Sequence, residues 1–110
     1  HPINCAASLA CLQYLLTTDI MHQVDEKEQL FRTHLQHPKI KEIRGKGLML
    51  AIEFENKELA KKVAEQCLEN GLILFYFLFT KSAIRITPPL TISNKEIIKG
   101  CEIIKGILEA

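Results

Sequence analysis

The 110-residue sequence predicts an α+β fold: a small antiparallel or mixed sheet of about four short strands, with helices packed on one face. Three observations predict it. Segments of helical period and segments of strand character follow one another as α-α-β-β-α-β-β-α. Gly45, Gly47, Gly71 and the Pro88-Pro89 pair fall at the joins between them. A chain of this length, 47% hydrophobic, can bury one core without disulfides or metals, but is too short for a complete multi-domain enzyme. No repeat, linker or low-complexity stretch divides it, so residues 1–110 are read as a single domain.

The elements follow in order. Ile3 to Leu16, rich in Ala and Leu, is a helix that is apolar nearly all round, a pattern that asks for cover on several faces. Thr17-Thr18-Asp19 breaks it and offers a new N-cap. The second helix then carries Ile20, Val24, Phe31 and Leu35 on one stripe, opposite Asp25, Glu26 and Lys27, and ends at His37-Pro38. Ile40–Arg44 and Leu48–Glu55 are strands joined by Gly45-Lys46-Gly47, with Leu48, Leu50, Ile52 and Phe54 alternating onto one face. Lys57 to Asn70 is a helix whose Leu59, Val63 and Cys67 face inward, and Gly71 is its left-handed terminator. Leu72 to Phe79 is a continuous apolar run read as a strand, with four of the seven aromatic residues. Left exposed, such a run is an aggregation hazard. Ala83–Thr87 is a short strand stopped by Pro88-Pro89. Ser93 or Asn94 caps a last helix that turns Ile97, Cys101, Ile104 and Leu108 inward.

Composition excludes several functions. Fourteen basic against 13 acidic residues leave a net charge of +1, without the basic stripe that binding to nucleic acid requires. The longest apolar run is far short of the ~18–20 residues that span a bilayer, and no basic segment precedes an apolar one as in a signal peptide. Cys5, Cys11, Cys67 and Cys101 lack the close spacings of zinc or redox sites, and are expected as buried, reduced thiols in a cytoplasmic protein.

Four groups of residues invite a chemical reading. Gly45-Lys46-Gly47 opens a strand rather than a helix, so it reads as a turn and not a phosphate loop. His34 and His37 lack further ligands at helical spacing, so no metal is expected; they read as surface histidines near a helix C-terminus. Glu53 and Glu55 share a strand face, as an acid/base pair or as a solvated surface. Arg85 sits between Ile84 and Ile86 just before Pro88-Pro89, where a planar guanidinium is either a bidentate carboxylate binder or an ordinary edge-strand arginine.

Taken in order, these segments resemble the C-terminal small domain of class III, ornithine and acetylornithine-type, pyridoxal phosphate-dependent aminotransferases, over essentially the whole chain. His1-Pro2-Ile3-Asn4-Cys5-Ala6-Ala7 is similar to the stretch after the family's T-F-G-G segment. His37-Pro38 with Ile43-Arg44-Gly45-Lys46-Gly47-Leu48-Met49 resembles its H-P…R-G-x-G-L-M signature, and Glu69-Asn70-Gly71-Leu72 its helix-to-strand turn. Ile84-Arg85-Ile86-Thr87-Pro88-Pro89-Leu90 is similar to its I-R-x-x-P-P-L segment. The resemblance implies a parent enzyme, a homodimer in the family's pattern, that moves an amino group between an amino acid and a 2-oxo acid. It also implies that Arg85 holds the substrate's carboxylate while the domain closes over the site.

By the same resemblance, the family's Schiff-base lysine, the acid facing the pyridine nitrogen and the threonine reaching the partner subunit's phosphate precede His1. The chain is thus expected to be a fragment, starting without methionine, with no catalytic residue, cofactor site or activity of its own. One departure stands out: the aromatic run Phe75 to Phe79 precedes Thr80-Lys81-Ser82, as an aromatic wall near the substrate or as a strand covered by the rest of the enzyme. The competing reading is a free-standing α+β module for ligand binding, regulation or oligomerisation, without catalysis.

Overall fold

The computed structural model describes residues 1–110. The elements are α1 (Pro2–Thr17), α2 (Val24–His34), β1 (Ile40–Lys46), β2 (Met49–Phe54), α3 (Lys57–Glu69), β3 (Phe75–Tyr76), β4 (Ala83–Ile86) and α4 (Asn94–Glu109). This is the order that the sequence predicts. The strands form one open antiparallel sheet, β1-β2-β4-β3, in an α+β fold.

The sheet starts from a tight hairpin. Lys46 pairs with Met49, which leaves Gly47-Leu48 as the turn, so β1 runs two residues further than the sequence suggests. Gly45 at φ 120° and Gly47 at φ 59° both adopt backbone that side chains disfavour. A Cβ on Gly45 would overlap the Met49 carbonyl oxygen, and one on Gly47 would stand 2.8 Å from Val24 Cγ1.

Alternation along β2 then sets the core. Leu50 and Ile52 pair with Ile86 and Ile84 of β4, so their side chains share one face, and Leu48 and Phe54 are buried with them. Onto this face pack Phe31 and Leu35 of the α2 segment, Ala60, Val63 and Cys67 of α3, and Ile97, Cys101, Ile104 and Leu108 of α4. Burial of each such Leu or Ile favours the fold by about 1.5–3 kcal/mol over exposure.

Local chemistry fixes the helix ends. Asn56 caps α3 by accepting from Leu59 N–H at 2.9 Å. At its other end Gly71, at φ 80°, lets Leu72 N–H reach the Cys67 carbonyl and Gly71 N–H reach that of Leu68, a Schellman closure. Of the two candidates for the last cap, Ser93 takes the role. It accepts from Glu96 N–H while the Glu96 carboxylate accepts from Ser93 N–H, a reciprocal capping box.

Three expectations are corrected. The second helix begins at Val24, because the main-chain carbonyl of Asp19 closes a turn with His22 N–H before the helix starts. Only Phe75–Tyr76 of the run Leu72–Phe79 is strand, since β4 offers just Arg85 and Ile84 as partners there; Leu78 and Phe79 are 88% and 97% exposed. Lys27, assigned to the outer face, is buried and donates from Nζ to the Leu90 carbonyl at 2.7 Å. The first helix forms as expected, yet none of its residues is buried. No helix is long and apolar enough to cross a membrane.

Candidate functional site

Because Ile84 and Ile86 face the core, strand alternation turns Arg85 onto the opposite face of the sheet, where it is exposed. Register sets its neighbours: Arg85 pairs with Ala51 on one side and with Phe75 on the other. Arg44 lies across from Ala51, which completes a row Arg44–Ala51–Arg85–Phe75 across four strands. The guanidinium carbon of Arg85 stands 5.7 Å from the centre of the Phe75 ring and 6.0 Å from that of Phe77. Both are cation–π distances.

The other two arginines have carboxylate partners. Arg32 Nε donates to Glu28 Oε1 at 2.9 Å, while its two terminal nitrogens donate to the carbonyls of Ile43 and Gly45. Arg44 Nη2 lies 2.8 Å from Glu53 Oε2. Arg85 forms no ion pair and no side-chain hydrogen bond, so its donor fork is free for an oxyanion. The strand that presents it is held firmly, by ladders on both sides and by the Lys27 tie to Leu90 beyond Pro88-Pro89.

The remaining candidates have structural partners. Glu53 accepts a hydrogen bond from Ser82 Oγ and faces Arg44. The Ser82 bond first, and then Arg44, hold its carboxyl below the usual glutamate value against the opposing effect of burial. Glu55 lies beyond the end of β2 and is exposed, so the structure does not bring the two carboxylates together as a pair on β2. The rings of His34 and His37 each make a local bond, to the Leu30 carbonyl and from Lys39 N–H, and no cluster of metal-ligating side chains forms. Gly45-Lys46-Gly47 is the hairpin described above. Of the cysteines expected to be buried, only Cys67 and Cys101 are, with thiols pushed up to about 11 by burial; Cys5 and Cys11 are exposed on α1.

Sequence reasoning missed Glu28. Its buried carboxylate accepts from Gly47 N–H at 2.6 Å and from Arg32, and these bonds, the backbone one foremost, lower its pKa. Spacing held the signal: Lys27 and Glu28 fall between Val24 and Phe31 on the same helical stripe.

Beside β4 a hollow of about 280 Å³ is lined largely by apolar groups, among them Leu72, Leu74, Ile86 and Ile97, together with Arg85 and Phe75. None of the lysines lines it. A pyridoxal group needs an amine for its aldehyde, which none of these residues supplies, so they do not by themselves fit that cofactor.

The fold thus presents an exposed, unpaired guanidinium on a strand that is paired on both sides, and leaves the first helix uncovered. Comparison with known proteins gives the particular family. The family model for aminotransferase class-III matches residues 1–108, and the chain belongs to that family. It is 32% identical to the acetylornithine aminotransferase of Caldanaerobacter subterraneus subsp. tengcongensis, over 98% of this chain and 28% of that protein. It is 33% identical to ornithine aminotransferase 2 of Staphylococcus aureus, over 99% and 27% respectively. Among solved structures, an engineered thermostable omega transaminase from Pseudomonas jessenii matches with TM-score 0.86 at 25% identity, over 99% of this chain and 27% of that one. The adenosylmethionine-8-amino-7-oxononanoate aminotransferase of Methanocaldococcus jannaschii matches with TM-score 0.80 at 28% identity, over 96% and 27%. The chain thus spans little more than a quarter of the length of the relatives it matches.

Proposed function

We propose that this chain is the C-terminal small domain of a pyridoxal phosphate-dependent class III aminotransferase, in which Arg85 binds the carboxylate of the amino acid or 2-oxo acid substrate. The observation that carries the reading is that Arg85, alone among the three arginines, has no carboxylate partner within the fold, and sits in the family's I-R-x-x-P-P-L pattern. A bidentate pair there fixes the substrate's orientation as well as its affinity, and orientation lowers the barrier to reaction. The cofactor supplies the electron sink when bound, and the groups that hold it belong to the rest of the enzyme.

Coverage of little more than a quarter of each relative supports the reading of a domain within a longer enzyme. So does the apolar surface of α1, with Ile3 and Leu16 72% and 73% exposed, which a large domain or a second subunit of a homodimer would cover. Closure of the domain over the substrate excludes water from the site. Four unpaired cysteines suit the reducing cytoplasm. In the full-length enzyme, Arg85→Lys keeps the charge but loses the planar fork. It is expected to raise KM for carboxylate substrates and lower kcat/KM by about 1.5–3 kcal/mol. Unchanged steady-state kinetics would overturn the assignment.

A further inference from the structure

We infer that Phe75 and Phe77 are positioning residues for the Arg85 guanidinium, and that they set the enzyme's preference for substrates bearing a carboxylate. The inference rests on the carboxylate role of Arg85 and adds two residues to it.

The argument begins with register. Phe75 lies directly opposite Arg85 in the β3–β4 ladder, and paired residues of antiparallel strands project to the same face. Phe77, two residues on, also lies within reach, with its ring centre 6.0 Å from the guanidinium carbon against 5.7 Å for Phe75. An exposed arginine with no ion pair would otherwise sample many rotamers, and a ligand would have to immobilise it at an entropic cost. Two ring faces restrict it while using none of its N–H donors. An aromatic face attracts the cation through its quadrupole, whereas a carboxylate is met in the guanidinium plane, so the two contacts do not compete. A carboxylate in place of either ring would have filled the fork itself; phenylalanine holds the cation and leaves it vacant.

Exposure agrees with this role. Phe75 is 54% exposed although the core lies on the opposite face of its strand, so packing alone does not explain a large aromatic residue there. Its apolar edge, beside the cation, would also favour an extended carbon chain over water next to the bound carboxylate.

The test uses the full-length enzyme with Phe75→Leu, Phe77→Leu and the corresponding Phe→Tyr variants. Two quantities are read: KM for an amino acid donor, and competitive inhibition by the matching alkylamine, which lacks the carboxylate. The Leu variants are expected to raise KM for the amino acid about threefold to tenfold, the scale of a cation–π contact, with kcat little changed. Alkylamine inhibition stays as in the parent, and the Tyr variants, which keep the ring face, restore the parental KM. A KM that does not move, or equal weakening of both compounds, overturns the inference. Arg85→Gln separates the two layers. If it raises KM for the amino acid while the Leu variants do not, the aromatic pair has no such role and the carboxylate reading stands. If Arg85→Gln also leaves KM unchanged, the carboxylate reading itself fails.

Discussion

Two ends of the same sheet treat arginine in opposite ways. At the β1–β2 hairpin, Arg32 is held by Glu28 and by the carbonyls of Ile43 and Gly45, while Glu28 also takes Gly47 N–H. At the β3–β4 edge, the Arg85 guanidinium has two aromatic rings beside it and no carboxylate, and Ile73, Leu78 and Phe79 of the same apolar run as those rings stand exposed. The first arginine is a staple, since each of its three guanidinium nitrogens donates to an acceptor of the fold. The second stands on equally regular backbone but meets none. Residue type is the same in both places; what differs is whether the fold supplies the counter-charge.

Substitutions can break or sharpen this contrast. The largest effect is expected at the hairpin, where Glu28→Ala leaves the buried Gly47 N–H and the Arg32 Nε–H without their acceptor. Stability should fall by about 2–4 kcal/mol, read as a lower urea midpoint. Next comes pH. Glu28 and Glu53 both titrate lower in the fold than the 4.5 of an unperturbed glutamate, so their contribution is fully present above that value. It is lost as pH falls from there through the folded-state values. Unfolding followed across the acid range should show this loss, and Glu28→Gln should flatten it. The smallest effect belongs to the other edge: Arg85→Met should lower stability by no more than about 1 kcal/mol, because only the exposed contacts with the Phe75 and Phe77 rings are lost. A large destabilisation there would erase the distinction between the two arginines.

Much of the fold was legible because it follows from local rules. Gly71 marks the end of α3 since only glycine enters the left-handed backbone there without cost, and the alternation of Leu48, Leu50, Ile52 and Phe54 defines the buried face of β2. The run Leu72–Phe79 misled because a continuous apolar stretch carries no period, and a strand's length depends on its partner. Lys27 misled and Glu28 was missed because charged residues are read as solvated, and only tertiary contacts showed the Leu90 carbonyl and the Gly47 amide waiting for them. Arg85 was singled out from its place between Ile84 and Ile86 before the two prolines. The lack of a carboxylate partner, and the aromatic rings flanking its guanidinium, depend on pairing across strands and were not visible in the chain.

The bond from Lys27 to the Leu90 carbonyl has a mechanical consequence. It joins points 63 residues apart in the chain, with its ammonium shielded from solvent. Helix α2 is thereby strapped to the proline segment that follows β4, and that segment leads directly into the Ser93 cap of α4. The segment at the end of the strand that carries Arg85 is therefore tied to the body of the domain rather than left as an unattached loop.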